Sequence, residues 1–180
     1  MSAAPTSPSG VRYRLEDCLG VGRRFLIDLI DVPVAVLLSA LAVGAARTVA
    51  PEAAGDLDVV LLLSSIVWFA YFVILKRSTF RTLGYVAAGA RIVDLQGGRP
   101  SLFSLVGRLM FTVLGPINIV FDLFWTTGDA SRQALRDKFA STYVIRQSAS
   151  PMGVGTVVLK TYMFWGMTFL FKEVELPRTP

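Results

Sequence analysis

Apolar positions in this chain come in long runs rather than in the short periodic stripes of a soluble protein. The first run extends from about Arg24 to Ala46 and the second from Val59 to Leu75, 17 residues without a charge. At about 1.5 Å of helix per residue, both are near the length that crosses a hydrocarbon core of about 30 Å. In the first, only the 15 residues from Val32 to Ala46 are charge-free, so Asp31 falls inside one margin of the bilayer and Asp28 lies close by. The second run carries Trp68, Phe69, Tyr71 and Phe72 just ahead of Lys76-Arg77, the aromatic belt and basic stop of a helix leaving a membrane.

A third apolar stretch, Leu102 to Trp125, has Gly115-Pro116 at its centre and Arg108 and Asp122 near its ends. Proline there removes a helical hydrogen bond. A single crossing would also put Arg132, Arg136, Lys138 and Arg146 outside, against the tendency of basic loops to stay cytoplasmic. The stretch therefore predicts two half-helices, re-entrant or lying at the cytoplasmic interface. Ala90 to Leu95, followed by Gly97-Gly98, and Ser141 to Ile145 predict two short strands that could pair. Val154 to Phe171 is apolar and aromatic but interrupted by Lys160 and Gly166, which predicts an interfacial or partner-docking segment rather than a span. Met1 to Gly10 is small and Pro-containing, and a flexible tail is expected through about residue 20. The apolar run begins only at Phe25, so the first span is expected to remain as an uncleaved anchor.

The pattern makes this an all-α membrane protein: a two-span helical hairpin, a broken or re-entrant third apolar segment and a short cytoplasmic two-strand element. Composition agrees, with 53% hydrophobic and 17% charged residues against about 25% charged in an ordinary soluble domain. Charge sets the orientation. Arg12, Arg14, Arg23 and Arg24 precede the first span, and Lys76, Arg77, Arg81, Arg91 and Arg99 follow the second. The connection between them holds only Arg47 beside Glu52, Asp56 and Asp58, so the N-terminus is expected inside, in a bacterial-type inner membrane. The net charge of +5 resides in loops bordering the spans, where topology and anionic lipid account for it better than nucleic acid does. With no His and the single Cys18, the chain has no imidazole base, no Cys/His metal site and no disulfide within one copy.

Arg24, Asp28 and Asp31 fall at i, i+4 and i+7, on one face of the first helix. An acid at membrane depth costs about 2.5–3.5 kcal/mol unless it is neutralised or paired. Two readings follow. In the structural one an ion pair pins this helix to Arg108 or to the basic segment near Arg136. In the functional one a buried carboxylate exchanges a proton for a cation, as intramembrane acids in transporters do.

Three separated segments, GRRFLIDLID, TFRTLGYVAAGARIVDLQGGRPS and RQALRDKFASTYVI, together resemble the RDD family of small integral membrane proteins. The resemblance covers about Gly22 to Ile145 and gives the chain three parts: the tail, a membrane domain over residues 21–146 and a C-terminal segment over 147–180. It implies that the family's Arg and two Asp correspond to Arg24, Asp31 and Asp137, with Asp28 an additional acid. Thr82, Gly84, Gly89, Arg91, Arg108 and Thr142 are further matches. Members are thought to act in transport, some resembling cation/proton antiporters. The position before the second Asp, commonly His in the family, is Arg136 here, so a His-assisted proton relay is not available. If the C-terminal half is cytoplasmic, Arg24, Asp31, Arg108 and Asp137 are expected to gather near the inner membrane face.

No nucleophile–base pair or cofactor cradle stands out, so neither an enzyme nor a bound cofactor is expected. Two or three helices enclose little on their own. The chain is accordingly expected to be a non-enzymatic accessory subunit of a larger, transport-related assembly, with other membrane proteins as partners. The alternative is a homo-oligomeric antiporter that uses Asp31.

Overall fold

The first apolar run forms one long helix, α1 (Val21–Val49), 29 residues and so about 43 Å of helix. Its buried positions, Arg24, Ile27, Asp28, Asp31, Ala35 and Ser39, recur at three- and four-residue intervals and make one stripe. Pro33 lies within the helix and removes the bond to the Leu29 carbonyl one turn back. The second run forms α2 (Leu57–Phe69), which has no buried residue, and continues through a π-helical segment, Ala70–Leu75. The wider i→i+5 turn brings three consecutive side chains, Tyr71, Phe72 and Val73, to the buried side. Together Leu57–Leu75 is an apolar helix of 19 residues, and it and Val21–Val49 are both long and apolar enough to cross a membrane. At the end of the second, the Lys76 ammonium lies 4.9 Å from the Phe72 ring and 4.7 Å from the Tyr85 ring. A single-turn helix, α3 (Leu83–Ala87), follows and stops at Gly89, whose φ of +59° is the left-handed conformation that ends helices.

The computed structural model describes residues 8–52, 55–164 and 166–177. They divide into two compact units: Gly22–Gly89 forms one, and the stretches on either side of it form the other.

The second unit contains two antiparallel sheets. Strands β2 (Ala90–Asp94) and β3 (Thr142–Arg146) pair as the sequence predicts, with Ile92 opposite Val144 and Val93 opposite Tyr143. The other sheet joins β1 (Ser9–Arg12), β4 (Gly153–Phe164) and β5 (Met167–Glu175) in the order β1-β4-β5. Tyr13, Cys18, Val93, Leu95, Tyr143, Ile145, Ala149 and Val174 form a buried core between these pieces, with Val11 and Val157 packed against it. The all-α expectation is corrected accordingly: the chain is helical with a small antiparallel β region. Two segments account for the difference. Residues 9–12, expected within a flexible tail, pair with Gly153–Thr156, and the Val11 amide donates to the Leu95 carbonyl at 2.7 Å. Residues 1–7 of that tail lie outside the described residues. The C-terminal apolar segment is a hairpin, because its β-branched and aromatic residues pair across Gly166.

The third apolar stretch is broken where the sequence predicts. Helix α4 (Leu102–Val113) starts with the Ser101 hydroxyl accepting from the Ser104 amide at 3.0 Å. Gly115, at φ +107°, separates it from α5 (Pro116–Gly128). Pro116 opens α5 at the one turn where a missing N–H costs nothing. At 12 and 13 residues the two helices are about 18 and 20 Å long, and neither alone matches a hydrocarbon core. A six-residue helix, α6 (Leu135–Ala140), leads into β3.

Candidate functional site

Within the Gly22–Gly89 unit the organising group is the Asp31 carboxylate, which has no exposed surface. Its Oδ1 accepts from the Tyr71 hydroxyl at 2.9 Å and from the Gly84 amide at 2.7 Å. Its Oδ2 accepts from the Thr82 hydroxyl at 2.6 Å. The Tyr71 oxygen is itself held by the Leu83 amide at 3.2 Å. Each donor is positioned by a local feature: Tyr71 by the π-helical segment, Thr82 by its place as N-cap of α3, and Gly84 by the first turn of that helix. The absent side chain of Gly84 permits the approach, since a Cβ there would lie 2.5 Å from the Ile27 carbonyl oxygen and 2.8 Å from Asp31 Oδ1. Hydrogen bonds to a charged group contribute about 1.5–3 kcal/mol each, so the three together offset the cost of burying the carboxylate. Asp31 is thus stabilised by uncharged donors. Arg24 and Asp28 are buried on the same helix.

In the other unit the charged residues converge on α6. Its three consecutive residues Arg136, Asp137 and Lys138 are all buried, and each meets an opposite charge from a different element. Arg108 of α4 bonds Asp137 Oδ1 and also donates to the Thr142 hydroxyl at 3.0 Å. Asp137 Oδ2 reaches back to the Ala134 amide at 3.1 Å, closing the first turn of α6. Arg136 pairs with Asp122 of α5, at 2.8 Å through its side chain and 2.7 Å through its amide. Lys138 pairs with Asp129 at 2.8 Å and with Glu173 of β5, and its Nζ lies 3.3 Å from the Tyr162 hydroxyl. Burial alone would pull the Lys138 ammonium down, but its bonds to Asp129 and Glu173 outweigh burial and raise it above an ordinary lysine. Burial likewise pushes Glu173 up, yet Lys138, Tyr162 and Lys160 together hold it below the ordinary glutamate value. Burial also pushes the Tyr143 hydroxyl well up.

Of the residues singled out from sequence, Asp31, Thr82 and Gly84 meet directly, as do Arg108, Asp137 and Thr142. Gly89 ends α3, and Arg91 donates to the Ala149 carbonyl at 2.6 Å. Arg108 and Arg136, offered by the sequence as counter-charges for Asp31, are bonded to Asp137 and Asp122. Sequence reasoning missed Tyr71, which reads as one more belt aromatic. It also missed Lys138 with Asp129 and Glu173, which read as ordinary loop charges. Among the described residues, no three His, Cys, Asp or Glu side chains gather as a metal site.

The model of the RDD family matches residues 19–141. The chain belongs to the RDD family. It is therefore a small membrane protein, in agreement with its two membrane-length helices. The RDD match takes in α1 to α6, and with them Arg24, Asp31 and Asp137, and ends just before β3. The β4–β5 hairpin, including Glu173, lies beyond it. Neither the comparison with curated proteins nor that with solved structures returns a match.

Proposed function

We propose that this RDD-family chain is a non-enzymatic, multi-pass subunit of a larger transport-related assembly in a bacterial-type cytoplasmic membrane, with its N-terminus on the cytoplasmic side. The observation that carries this reading is the buried Asp31 carboxylate: both oxygens accept hydrogen bonds from donors of its own unit, as befits a fixed latch between helices. A carboxylate that exchanged protons and cations would have to release those bonds in every cycle. Size supports the same reading, because transporter sites form between repeats of many helices. So does α2, which has no buried residue and leaves the face of Leu61, Leu62 and Ile66 exposed to lipid or to partner helices. The distribution of Arg and Lys around the spans supports the orientation.

The test is the mass and composition of the particle extracted from native membranes in mild detergent. Other polypeptides in fixed ratio are the expected result; a particle made only of this chain would overturn it.

The second reading is a homo-oligomeric cation/proton antiporter with Asp31 as the exchanging group. One observation favours it: π-helical turns inside α-helices occur frequently at functional sites, and here one delivers Tyr71 to the acid. In liposomes containing this chain alone, a pH-dependent cation flux abolished by Asp31→Asn would establish it. Asp31 and Asp137 then act as exchange and anchoring groups respectively, whereas in the subunit reading both hold the fold that partners recognise.

A further inference from the structure

Charge stops abruptly along the β4–β5 hairpin. Going outward, Thr156 faces Glu175, Val158 faces Glu173, Leu159 faces Lys172 and Lys160 faces Phe171. From there to the end at Phe164 and Met167 the ladder carries no charge. The 11 residues Thr161–Phe171 include five aromatics and two methionines. Lys160 and Lys172 thus stand on adjacent rungs, at one level across both strands. Four residues of strand beyond Lys160, at about 3.4 Å each, extend some 14 Å. That exceeds the roughly 5–10 Å to which interfacial segments bury their apolar side.

One face of this uncharged end is covered. Trp125 of α5 packs on Tyr162 with ring centroids 5.8 Å apart, and Phe139 of α6 packs on Phe169 and Phe171 at 5.9 and 5.0 Å. The opposite face is open, with Leu159, Met163 and Leu170 being 64%, 83% and 62% exposed. Those aromatic contacts also make the hairpin continuous with α4 and α5, since Phe111 of α4 lies 5.1 Å from Phe139. The two helices leave Phe103, Val113, Val120 and Phe124 exposed, and the turn between them Leu114. A hairpin end that is apolar and open on one face, bounded by Lys160 on one strand and Lys172 on the other, has the chemistry of a membrane-interface segment.

We infer that the uncharged end of the β4–β5 hairpin is inserted at the headgroup–acyl boundary of the membrane that the two long helices cross, with Lys160 and Lys172 at the level of the lipid phosphates. The inference rests on the membrane reading of this chain. Lys160 already bonds Glu173 at 3.2 Å and Glu175 at 3.0 Å, so apolar burial rather than net charge supplies the attachment.

The experiment uses the full chain in vesicles of phosphatidylcholine and phosphatidylglycerol. The buried Cys18 is replaced by Ala, and an environment-sensitive fluorophore is attached at Met163→Cys, Leu170→Cys, Lys172→Cys or, as a control on α2, Leu62→Cys. These positions are exposed, so labelling leaves the fold undisturbed. Quenching by a lipid nitroxide near the headgroups is compared with quenching by aqueous iodide. Strong lipid quenching at 163 and 170, several-fold weaker at 172 where iodide acts instead, is the expected result. If position 62 is quenched by lipid while 163 and 170 respond to iodide, the hairpin lies in water and the inference falls alone. If 163 and 170 are shielded from both quenchers, a protein partner covers them and the inference also falls. If position 62 itself responds to iodide, the membrane reading fails and takes the inference with it.

Discussion

The Gly84 amide donates to Asp31 Oδ1 at 2.7 Å, and a Cβ on Gly84 would lie 2.8 Å from that same oxygen. The first turn of α3 can approach α1 this closely only because residue 84 has no side chain. Gly84→Ala is expected to push the two apart against the Ile27 backbone and to cost at least the roughly 1–3 kcal/mol of an overpacked core position. Gly44 of α1 has no atom within 4 Å of its would-be Cβ. Gly44→Ala is expected to stabilise the isolated chain by about 0.5–1 kcal/mol through helix propensity. Thermal inactivation in detergent, followed by size-exclusion recovery, compares the two; equal effects would refute the close contact.

Thr82 supplies the only hydrogen bond to Asp31 Oδ2 among the described residues. Thr82→Val keeps the shape and leaves half of a buried carboxylate unsatisfied, at a cost of about 1–3 kcal/mol. Thr82→Ser retains the hydroxyl and should recover most of that loss. Midpoints of thermal unfolding for the two variants decide the matter, and identical midpoints would show that the hydroxyl contributes nothing.

Arg108 and Asp137 are both buried, so removing either one takes this ion pair from a buried charge. Arg108→Met is expected to cost about 3–5 kcal/mol, and pairing it with Asp137→Asn should recover part of that loss. The exposed Arg14–Glu16 pair, at 3.6 Å, offers the contrast: Arg14→Ala should leave stability unchanged. A double-mutant cycle read by chemical unfolding in detergent measures the coupling.

Glu173 and Lys138 give the fold an acid and an alkaline limit. Glu173 sits below its ordinary value of 4.5, so its contribution is complete above that value and is lost as pH falls through the lowered one. Lys138 sits above its ordinary 10.5, so its contribution is complete below that value and is lost as pH rises through the raised one. Between the two limits stability from this pair is flat. Glu173→Gln should lower the unfolding midpoint at pH 7, and the gap to the unaltered protein should close as pH falls below 4.5. A gap that stays constant down to pH 3 would show that Glu173 is not held ionised by Lys138.

Several features of the chain could be read without a structure because they are local. A charge-free run such as Val59–Leu75 admits a membrane-length helix whatever surrounds it. Gly115-Pro116 interrupts a helix through φ and a missing N–H. The strands β2 and β3 were legible from β-branched residues beside turn residues, and their pairing followed from there being two of them. The C-terminal hairpin carried the same β-branched and aromatic signal, but Gly166 reads as an interruption until the two halves are seen to pair across it.

Partnership was another matter. With 18 Lys and Arg and 13 Asp and Glu, the chain offers far more opposite-charge pairs than it can form, and sequence spacing ranks only those within a turn or two of one helix. Tertiary structure gave Asp31 to Tyr71, Thr82 and Gly84, residues 40 to 53 positions away, and gave the three charges of α6 to four separate segments. It also set β1 beside β4 across more than half of the chain. Element type follows from interactions a few residues long, which composition and periodicity record. Which buried acid meets which donor depends on how those elements pack, and a desolvated carboxylate is stable only where that packing brings donors to both of its oxygens.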